Sequence, residues 1–214
     1  MSQANTRIVL AEDHVLVREG LKMLLSTQAG FEVVAETADG LAVEGLVRDC
    51  KPDLLVLDLG LPGRHGVDVA AAVKAFDGGA VKVLVLTGDL SAASVRKALA
   101  AGADGYVHKS EDAGELLDAV LAVLAGRQYV SKRIAQEFRP APIGGEEGAA
   151  PTPREQEIMS LVARGLSNRE IAELLEISVT TVRTHRQNFM EKFALRNAAE
   201  ITAYAVQRGY YNPG

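Results

Sequence analysis

The sequence predicts an α/β domain built on a doubly wound parallel sheet, followed by a small all-α domain. Short apolar runs alternate with amphipathic helical patterns through the first 125 residues, and this alternation is typical of βα units in a parallel sheet. A segment rich in proline and glycine then separates this part from a stretch whose apolar spacing is helical throughout. We therefore expect two domains joined by a linker, which a chain of 214 residues can accommodate.

Residues 1–125 contain five predicted βα units. The predicted strands cover residues 7–11, 31–35, 53–57, 81–86 and 105–108. The predicted helices cover residues 14–27, 40–50, 65–76, 91–101 and 112–125. The third strand is apolar from Leu54 to Leu57, which indicates a strand buried on both faces, as in a parallel sheet.

Residues 126–150 are predicted to form the linker, and residues 127–139 could form a short helix within it. Four helices are expected in residues 151–214, where cap residues precede apolar residues at helical spacing. The third of them covers about 179–193 and the fourth about 198–208. The predicted N-caps of the four helices are Thr152, Asn168, Ser178 and Asn197.

The composition limits the function classes. No apolar run approaches the roughly 18 residues that a membrane helix needs, and the first residues lack the apolar core of a signal peptide. Cys50 is the only cysteine, so an internal disulfide is excluded and a reducing, cytoplasmic compartment is expected. The net charge of −5 falls mainly on residues 1–125, so a nucleic-acid surface on the second domain has to be local.

Polar residues follow four of the predicted strands at their carboxyl ends. Because these ends share one edge of a parallel sheet, the polar side chains should meet there. A carboxylate can attack a phosphoryl group, Mg²⁺ is held by carboxylates, and a lysine can neutralise phosphoryl oxygens. Each residue alone could instead be a turn cap or a surface side chain. The converging residues are Glu12, Asp13, Asp58, Thr87 and Lys109.

The second domain contains a helix, a short turn and a helix between Ser167 and His185, the arrangement of a helix-turn-helix. The later helix places Val182 and Phe189 on an inward stripe. Its outward side carries hydrogen-bond donors, and Glu191 is its only acid. Such a face suits contacts to DNA bases and phosphates, although an ordinary solvated face is the alternative.

The first domain resembles the receiver domain of two-component response regulators. The motifs that carry this resemblance are Glu12-Asp13, Asp58-Leu59-Gly60-Leu61-Pro62-Gly63, Thr87-Gly88 and Tyr106-Val107-His108-Lys109. The resemblance implies a flavodoxin-like (βα)5 fold with strand order 2-1-3-4-5.

The same resemblance implies residue roles. Asp58 would accept a phosphoryl group from a histidine kinase, and Lys109 would contact that group. Asp13 would bind Mg²⁺ directly and Glu12 through the outer shell, with the carbonyl oxygen of Gly60 also on the metal. Glu12 stands where the family more often has Asp.

The resemblance also implies a conformational switch. Thr87 would move towards the new phosphoryl oxygens, and Tyr106 would then rotate inward. This would alter the face around the predicted helix 91–101, strand 105–108 and helix 112–125. A half-buried strand aromatic is the alternative reading of Tyr106.

The second domain resembles the LuxR-type helix-turn-helix. The matching segments are Thr152-Pro153-Arg154-Glu155, Gly165-Leu166-Ser167-Asn168, Glu170-Ile171-Ala172, Ile177-Ser178 and Thr181-Val182-Arg183-Thr184-His185. The resemblance implies that residues 179–193 form the recognition helix and 198–208 a dimerisation helix. Implied base contacts are Arg183, Thr184 and Gln187. Implied phosphate contacts are Asn168, Thr181, Arg186 and Arg196.

Together the two resemblances predict a response regulator of the NarL/FixJ class, which is not an enzyme. Its partners would be a histidine kinase, double-stranded promoter DNA and, after activation, a second copy of the chain. Three alternatives differ in function. A haloacid-dehalogenase-type phosphatase would need a second Asp where Gly60 stands, a quorum-sensing regulator would need a ligand pocket, and a third type of regulator would act without phosphorylation.

Overall fold

A computed structural model of the chain describes residues 5–77, 79–138 and 150–213. The strands are β1 (Thr6–Ala11), β2 (Phe31–Thr37), β3 (Leu54–Asp58), β4 (Lys82–Thr87), β5 (Gly105–His108) and β6 (Tyr129–Val130). The helices among them are α1 (Val15–Ser26), α2 (Val43–Cys50), α3 (Gly66–Asp77), α4 (Ala92–Ala100), α5 (Ala113–Leu124) and α6 (Lys132–Glu137). The second domain contains α7 (Pro153–Ala163), α8 (Asn168–Leu174), α9 (Val179–Lys192) and α10 (Ala198–Gln207).

In the described part of the chain the strands form one parallel sheet with the order β2-β1-β3-β4-β5-β6. The predicted fold and the order of its first five strands are confirmed. β3 lies inside the sheet and all five of its residues are buried, as its continuous apolar run predicts. β6 was not predicted, because two residues are too few to show a strand pattern. It pairs Tyr129 with Gly105 and Val130 with Tyr106.

The core of the first domain lies on both faces of this sheet. Successive strand residues point to opposite faces, so each strand contributes to two apolar clusters. One cluster joins strand residues to α1 and α5 and includes Ile8, Leu10, Leu54, Val56, Leu21, Leu25 and Val120. The other joins them to α2, α3 and α4 and includes Val9, Leu55, Leu57, Val85, Val43, Val69 and Leu99.

The helices of the second domain begin at side-chain caps. Thr152 accepts a hydrogen bond from the backbone of Glu155 and forms a capping box with it, and Ser178 and Asn197 cap α9 and α10. The prediction that Asn168 caps α8 was wrong by one residue. Ser167 is the cap, because the Glu three positions later completes its capping box.

Helix α10 is enclosed on all sides. All seven residues from Ala199 to Ala205 are buried, whereas a surface helix buries only one stripe. Its neighbours are α7 of its own domain and α4, α6 and β6 of the first domain. Two side chains fasten this contact: Asn197 Nδ2 donates to the Leu99 carbonyl at 2.9 Å, and Gln207 Nε2 donates to the Phe138 carbonyl at 2.9 Å. The helix is therefore part of the interface between the domains.

Glu200 places a carboxyl group inside this interface. Its side chain is buried, and burial raises its pKa, although the Arg196 N–H and the charges of Arg196 and Arg96 oppose the shift. A carboxyl whose pKa is raised in the folded state stabilises the fold below its unfolded pKa, and this contribution is lost as the pH rises through the folded pKa. Glu200 therefore lowers stability at neutral pH relative to mildly acidic pH.

Glu200→Gln should remove this pH-dependent contribution while keeping an acceptor for the Arg196 N–H, which lies 2.9 Å from Glu200 Oε2. We expect the variant to be more stable than wild type at pH 7.5, with a smaller difference at pH 5. Chemical denaturation at both pH values measures this. Glu173→Gln, which replaces an exposed carboxylate, is the matched control. Equal differences at both pH values would contradict the prediction.

Among the described residues, no helix combines the length and apolarity that crossing a membrane requires.

Candidate functional site

The carboxyl ends of β1, β3, β4 and β5 meet at one edge of the sheet, as predicted from their polar residues. A cavity of about 780 Å³ opens there and is lined in part by Asp58, Thr87 and Lys109. Glu12 and Asp13 follow β1 directly, and Glu12 reaches Lys109 at 2.8 Å. The structure therefore brings the five strand-end residues of the predicted site together.

Lys109 is the cation that holds two buried carboxylates. Its Nζ lies 2.8 Å from Glu12 Oε1 and 2.9 Å from Asp58 Oδ2, and these acids are only 1% and 3% exposed. Burial alone would lower the pKa of Lys109, but the hydrogen bonds and charges of Glu12 and Asp58 outweigh it and raise the pKa. The lysine is therefore a fixed positive charge at this edge.

The backbone around Asp58 sets the direction of its carboxylate. The Gly60 N–H donates to Asp58 Oδ1 at 3.0 Å. Helix α3 starts directly against this turn, since a Cβ on Gly66 would lie 2.4 Å from the Asp58 carbonyl oxygen and 2.6 Å from Leu59 Cα. Only glycine permits so close an approach of two backbones. The second carboxylate oxygen, Oδ2, is left facing Lys109.

The acidic group at this edge fits a divalent cation. Asp13 Oδ1 lies 2.8 Å from His14 Nδ1, and Asp58 Oδ2 lies 2.9 Å from Lys109 Nζ. Among the described residues, Glu12 Oε2 is a buried carboxylate oxygen with no hydrogen-bond partner. Such an oxygen is costly unless a cation satisfies it. Partial burial works to raise the pKa of Asp13, but the charge of His14 and hydrogen bonds with Asp58 and His14 outweigh it and lower the pKa. Asp13 is therefore ready to bind metal.

Thr87 and Tyr106, the predicted switch pair, lie in different surroundings: Thr87 lines the cavity and Tyr106 lies in the core. The Thr87 hydroxyl lies at the cavity and is held by the backbone of Asp89, with Oγ1 3.2 Å from the Asp89 nitrogen. Tyr106 is fully buried, and its hydroxyl donates to the Leu99 carbonyl at 3.4 Å. Burial raises the pKa of this hydroxyl, so it stays protonated. Because the Tyr106 ring is already buried in this structure, phosphorylation cannot rotate it inward from this conformation.

The predicted DNA contacts lie on and beside α9. Arg183, Thr184 and Gln187 are exposed, and Val182 and Phe189 are buried on the opposite side. A hollow of about 580 Å³ gathers five of the seven predicted residues, but Thr181 and Thr184 do not line it. The five gathered residues are Asn168, Arg183, Arg186, Gln187 and Arg196.

Several of these side chains already have partners. Arg186 donates to Asn168 Oδ1 at 2.6 Å, and Gln187 donates to Glu191 Oε1 at 3.0 Å. Burial lowers the pKa of Arg186, which sits between α8 and α9. The guanidinium of Arg183 is therefore more available than that of Arg186 for contacts with another molecule.

Sequence reasoning missed two residues. The sequence predicts Asn197 only as a helix cap, but its amide also donates a hydrogen bond to the Leu99 carbonyl of the first domain. His14 was not assigned a role, but its Nδ1 lies 2.8 Å from Asp13 Oδ1. The position of His14 directly after two acids was the only signal in the sequence; for Asn197 there was none.

Comparison with known proteins identifies the class of both domains. Residues 8–121 match the family described as "Response regulator receiver domain", and residues 151–205 match "Bacterial regulatory proteins, luxR family". The chain belongs to the response regulators that carry a LuxR-type DNA-binding domain. Proteins of this family are phosphorylation-regulated transcription factors of two-component systems and not enzymes, so the predicted class is confirmed and the phosphatase alternative is wrong.

Two of the relatives match nearly the whole chain, and a third matches about two thirds of it. The nitrate/nitrite response regulator protein NarP of Escherichia coli K12 is 34% identical over 205 residues, which cover 94% of this chain and 95% of NarP. The crystal structure of the response regulator ChrA, from a heme-sensing two-component system, is 33% identical with a TM-score of 0.55 and covers 96% of this chain and 99% of ChrA. A LuxR-family response regulator structure from Aurantimonas sp. SI85-9A1 is 43% identical over 63% of this chain and 96% of its own, with a TM-score of 0.59.

Proposed function

We propose that Asp58 accepts a phosphoryl group from a histidine kinase and that this modification controls promoter binding by the second domain. The observation that carries the proposal is the buried ion-pair cluster in which Lys109 joins Glu12 and Asp58 at the cavity. In this assignment residues 1–125 are the phosphoacceptor domain and 151–214 the DNA-binding domain. Residues 126–150 connect them, but β6 and α6, at the start of this predicted linker, pack as part of the first domain. A regulator that meets promoter DNA would act in the cytoplasm.

The proposed reaction is a transfer from nitrogen to oxygen. An Asp58 carboxylate oxygen attacks phosphorus, the bond from phosphorus to the histidine nitrogen of the kinase breaks, and that nitrogen keeps the electron pair. Such transfers depend more on charge neutralisation than on acid–base work. Lys109 and the Thr87 hydroxyl would contact the phosphoryl oxygens of the product.

We propose Mg²⁺ as the metal at this site. Asp13, Asp58 and the Gly60 carbonyl would hold it, with Glu12 in the outer shell. The bound cation would supply positive charge next to the phosphoryl group. Two observations support this assignment: Glu12, Asp13 and Asp58 have ligand atoms within 4.8 Å of one another, and Glu12 Oε2 is buried with no hydrogen-bond partner.

The signal would reach the second domain through one carbonyl group. The Leu99 carbonyl accepts hydrogen bonds from both Tyr106, the buried switch residue, and Asn197, the cap of α10. Phosphorylation at Asp58 would draw Thr87 towards the new oxygens and disturb this shared contact through Tyr106. Release of α10 would then free the proposed dimerisation helix, which the first domain covers in this structure.

We propose that α9 is the recognition helix. Arg183, Thr184 and Gln187 would contact base edges in the major groove, and these side chains are exposed. Phosphate contacts fix orientation without reading sequence and are assigned to Asn168, Thr181, Arg186 and Arg196. A homodimer on activation would place two such helices on adjacent half-sites.

One experiment tests the proposed function as a whole. The full chain is incubated with Mg²⁺ and a small phosphodonor, and its mass, oligomeric state and retention of genomic DNA fragments are measured with and without the donor. We expect one phosphoryl group, dimer formation and selective DNA retention to appear together. Phosphorylation without any change in assembly or DNA binding would overturn the proposed control.

Arg183→Ala and Arg196→Ala should separate base reading from phosphate contact. If Arg183 reads a base, its loss should weaken binding to the selected promoter by about 1–3 kcal/mol and relax specificity at one position. Loss of Arg196 should weaken binding to all sequences alike and reduce the salt dependence. Titration of promoter and scrambled DNA at several salt concentrations measures both effects. If Arg183→Ala weakens binding to promoter and scrambled DNA equally, Arg183 does not contact a base.

A further inference from the structure

His14 occupies the N-cap position of α1 but does not cap the helix. Its backbone is extended, and its side chain makes no hydrogen bond to the first turn. This position favours Ser, Thr, Asp or Asn because their side chains accept helix N–H groups. The imidazole turns instead towards the acidic site, with Nδ1 2.8 Å from Asp13 Oδ1 and 3.1 Å from Glu12 Oε1.

The imidazole and three carboxylates together have the dimensions of one coordination sphere. One ligand atom from each of Glu12, Asp13, His14 and Asp58 can be chosen so that all four lie within 4.8 Å of one another. Opposite ligands of a small octahedral cation are about 4.2 Å apart, twice a bond of roughly 2.1 Å. Small side-chain adjustments would therefore bring Asp13, His14 and Asp58 onto one ion, with Glu12 in its outer shell.

One buried oxygen points to a cation independently of this clustering. Glu12 is 1% exposed, and its Oε2 is buried with no hydrogen-bond partner. The Lys109 ammonium, 2.8 Å from Glu12 Oε1, satisfies the other oxygen of Glu12. The His14 side chain is 67% exposed, so it can turn onto an ion without disturbing the core.

We propose that His14 is a nitrogen ligand of this metal site and that the site binds Mn²⁺ or Co²⁺ more tightly than Mg²⁺. The inference rests on the metal site of the proposed function and adds a ligand to it. Mg²⁺ takes oxygen ligands and retains its waters. Later divalent metals accept imidazole readily and bind mixed nitrogen and oxygen sites more strongly. A histidine in the sphere therefore changes which cation the site selects.

The test compares metal affinities of the full chain with those of two variants. Electron paramagnetic resonance of free Mn²⁺ gives its dissociation constant, and competition gives that of Mg²⁺. His14→Asn should weaken Mn²⁺ binding by about 10- to 100-fold, with a much smaller loss for Mg²⁺, and should shift the visible absorption bands of bound Co²⁺. His65→Asn, which changes another histidine at the same cavity, should leave the metal preference as in wild type.

The outcomes separate this inference from the proposed function. Equal losses of Mn²⁺ and Mg²⁺ affinity in His14→Asn, or no loss of either, would overturn the role of His14, as would unaltered Co²⁺ bands. Phosphorylation of the wild-type chain with Mg²⁺ tests the proposed function separately. Circular dichroism of His14→Asn checks that a lost preference for Mn²⁺ over Mg²⁺ does not reflect unfolding. We expect the variant to fold, because Asn is a favourable N-cap residue.

Discussion

Asp58→Asn is expected to abolish covalent phosphorylation of the chain. The amide cannot act as the carboxylate nucleophile that an aspartyl-phosphate requires. Intact-protein mass spectrometry after incubation with Mg²⁺ and a small phosphodonor measures the change directly. Donor-dependent dimerisation and DNA binding should disappear together with the added mass.

The fold should survive this substitution. Asp58 lies beside two other acids, Glu12 and Asp13, so neutralising it relieves like-charge repulsion while Lys109 keeps Glu12 as a partner. Asp68→Asn is the matched control, because it makes the same chemical change to an exposed residue of the same cavity. Phosphorylation of Asp58→Asn to the wild-type level would refute Asp58 as the acceptor. A wild-type chain that binds DNA equally well with and without donor would instead support the phosphorylation-independent alternative.

The second large effect is expected from Asn197→Asp. Asn197 has two roles: its Oδ1 accepts the Glu200 N–H at 2.9 Å, and its Nδ2 donates to the Leu99 carbonyl at 2.9 Å. Aspartate caps a helix about as well as asparagine, but it cannot donate and would set a negative charge against the Leu99 oxygen. The substitution therefore breaks the contact between the domains while α10 keeps its cap.

Release of α10 should make dimerisation and DNA binding stronger without a phosphodonor. Loss of one hydrogen bond is worth about 0.5–1.5 kcal/mol, which corresponds to roughly a 2- to 12-fold shift towards the released state, and the charge repulsion adds to it. Sedimentation and promoter titration of the unphosphorylated protein measure the shift. Asn197→Ala, which loses both cap and donor, controls for a weakened α10.

A double variant places the contact in the signalling order. Asn197→Asp combined with Asp58→Asn should keep the raised basal DNA binding, because the contact between the domains acts after phosphorylation in the proposed sequence. Basal dimerisation and DNA affinity at the wild-type level in Asn197→Asp would show that the shared Leu99 carbonyl does not restrain α10.

The candidate phosphorylation site was predictable because parallel strands share a direction. Once residues 53–57 are recognised as a buried strand, Asp58 has to lie at the carboxyl edge of the sheet. Glu12 and Lys109 also follow strands directly, so the same reasoning places them at this edge. Their ion pairs at 2.8 and 2.9 Å are a geometric consequence of strand order. The burial of Tyr106 was not predictable in this way, since it depends on what covers the edge of the sheet around β5.

Local sequence patterns were sufficient to predict the two folds, the strand-end site and three of the four caps in the second domain. Each of these depends on local pattern: apolar periodicity, a polar residue at a strand end, or a hydroxyl or amide before a helix. Three features depend on how the chain packs in three dimensions: α10 is enclosed, Tyr106 and Asn197 share the Leu99 carbonyl, and His14 faces the acids. A helical pattern shows that a helix has an apolar face but not which domain covers it. A backbone carbonyl that accepts hydrogen bonds from two side chains has no sequence signature of its own, so these partners are set by how the domains pack.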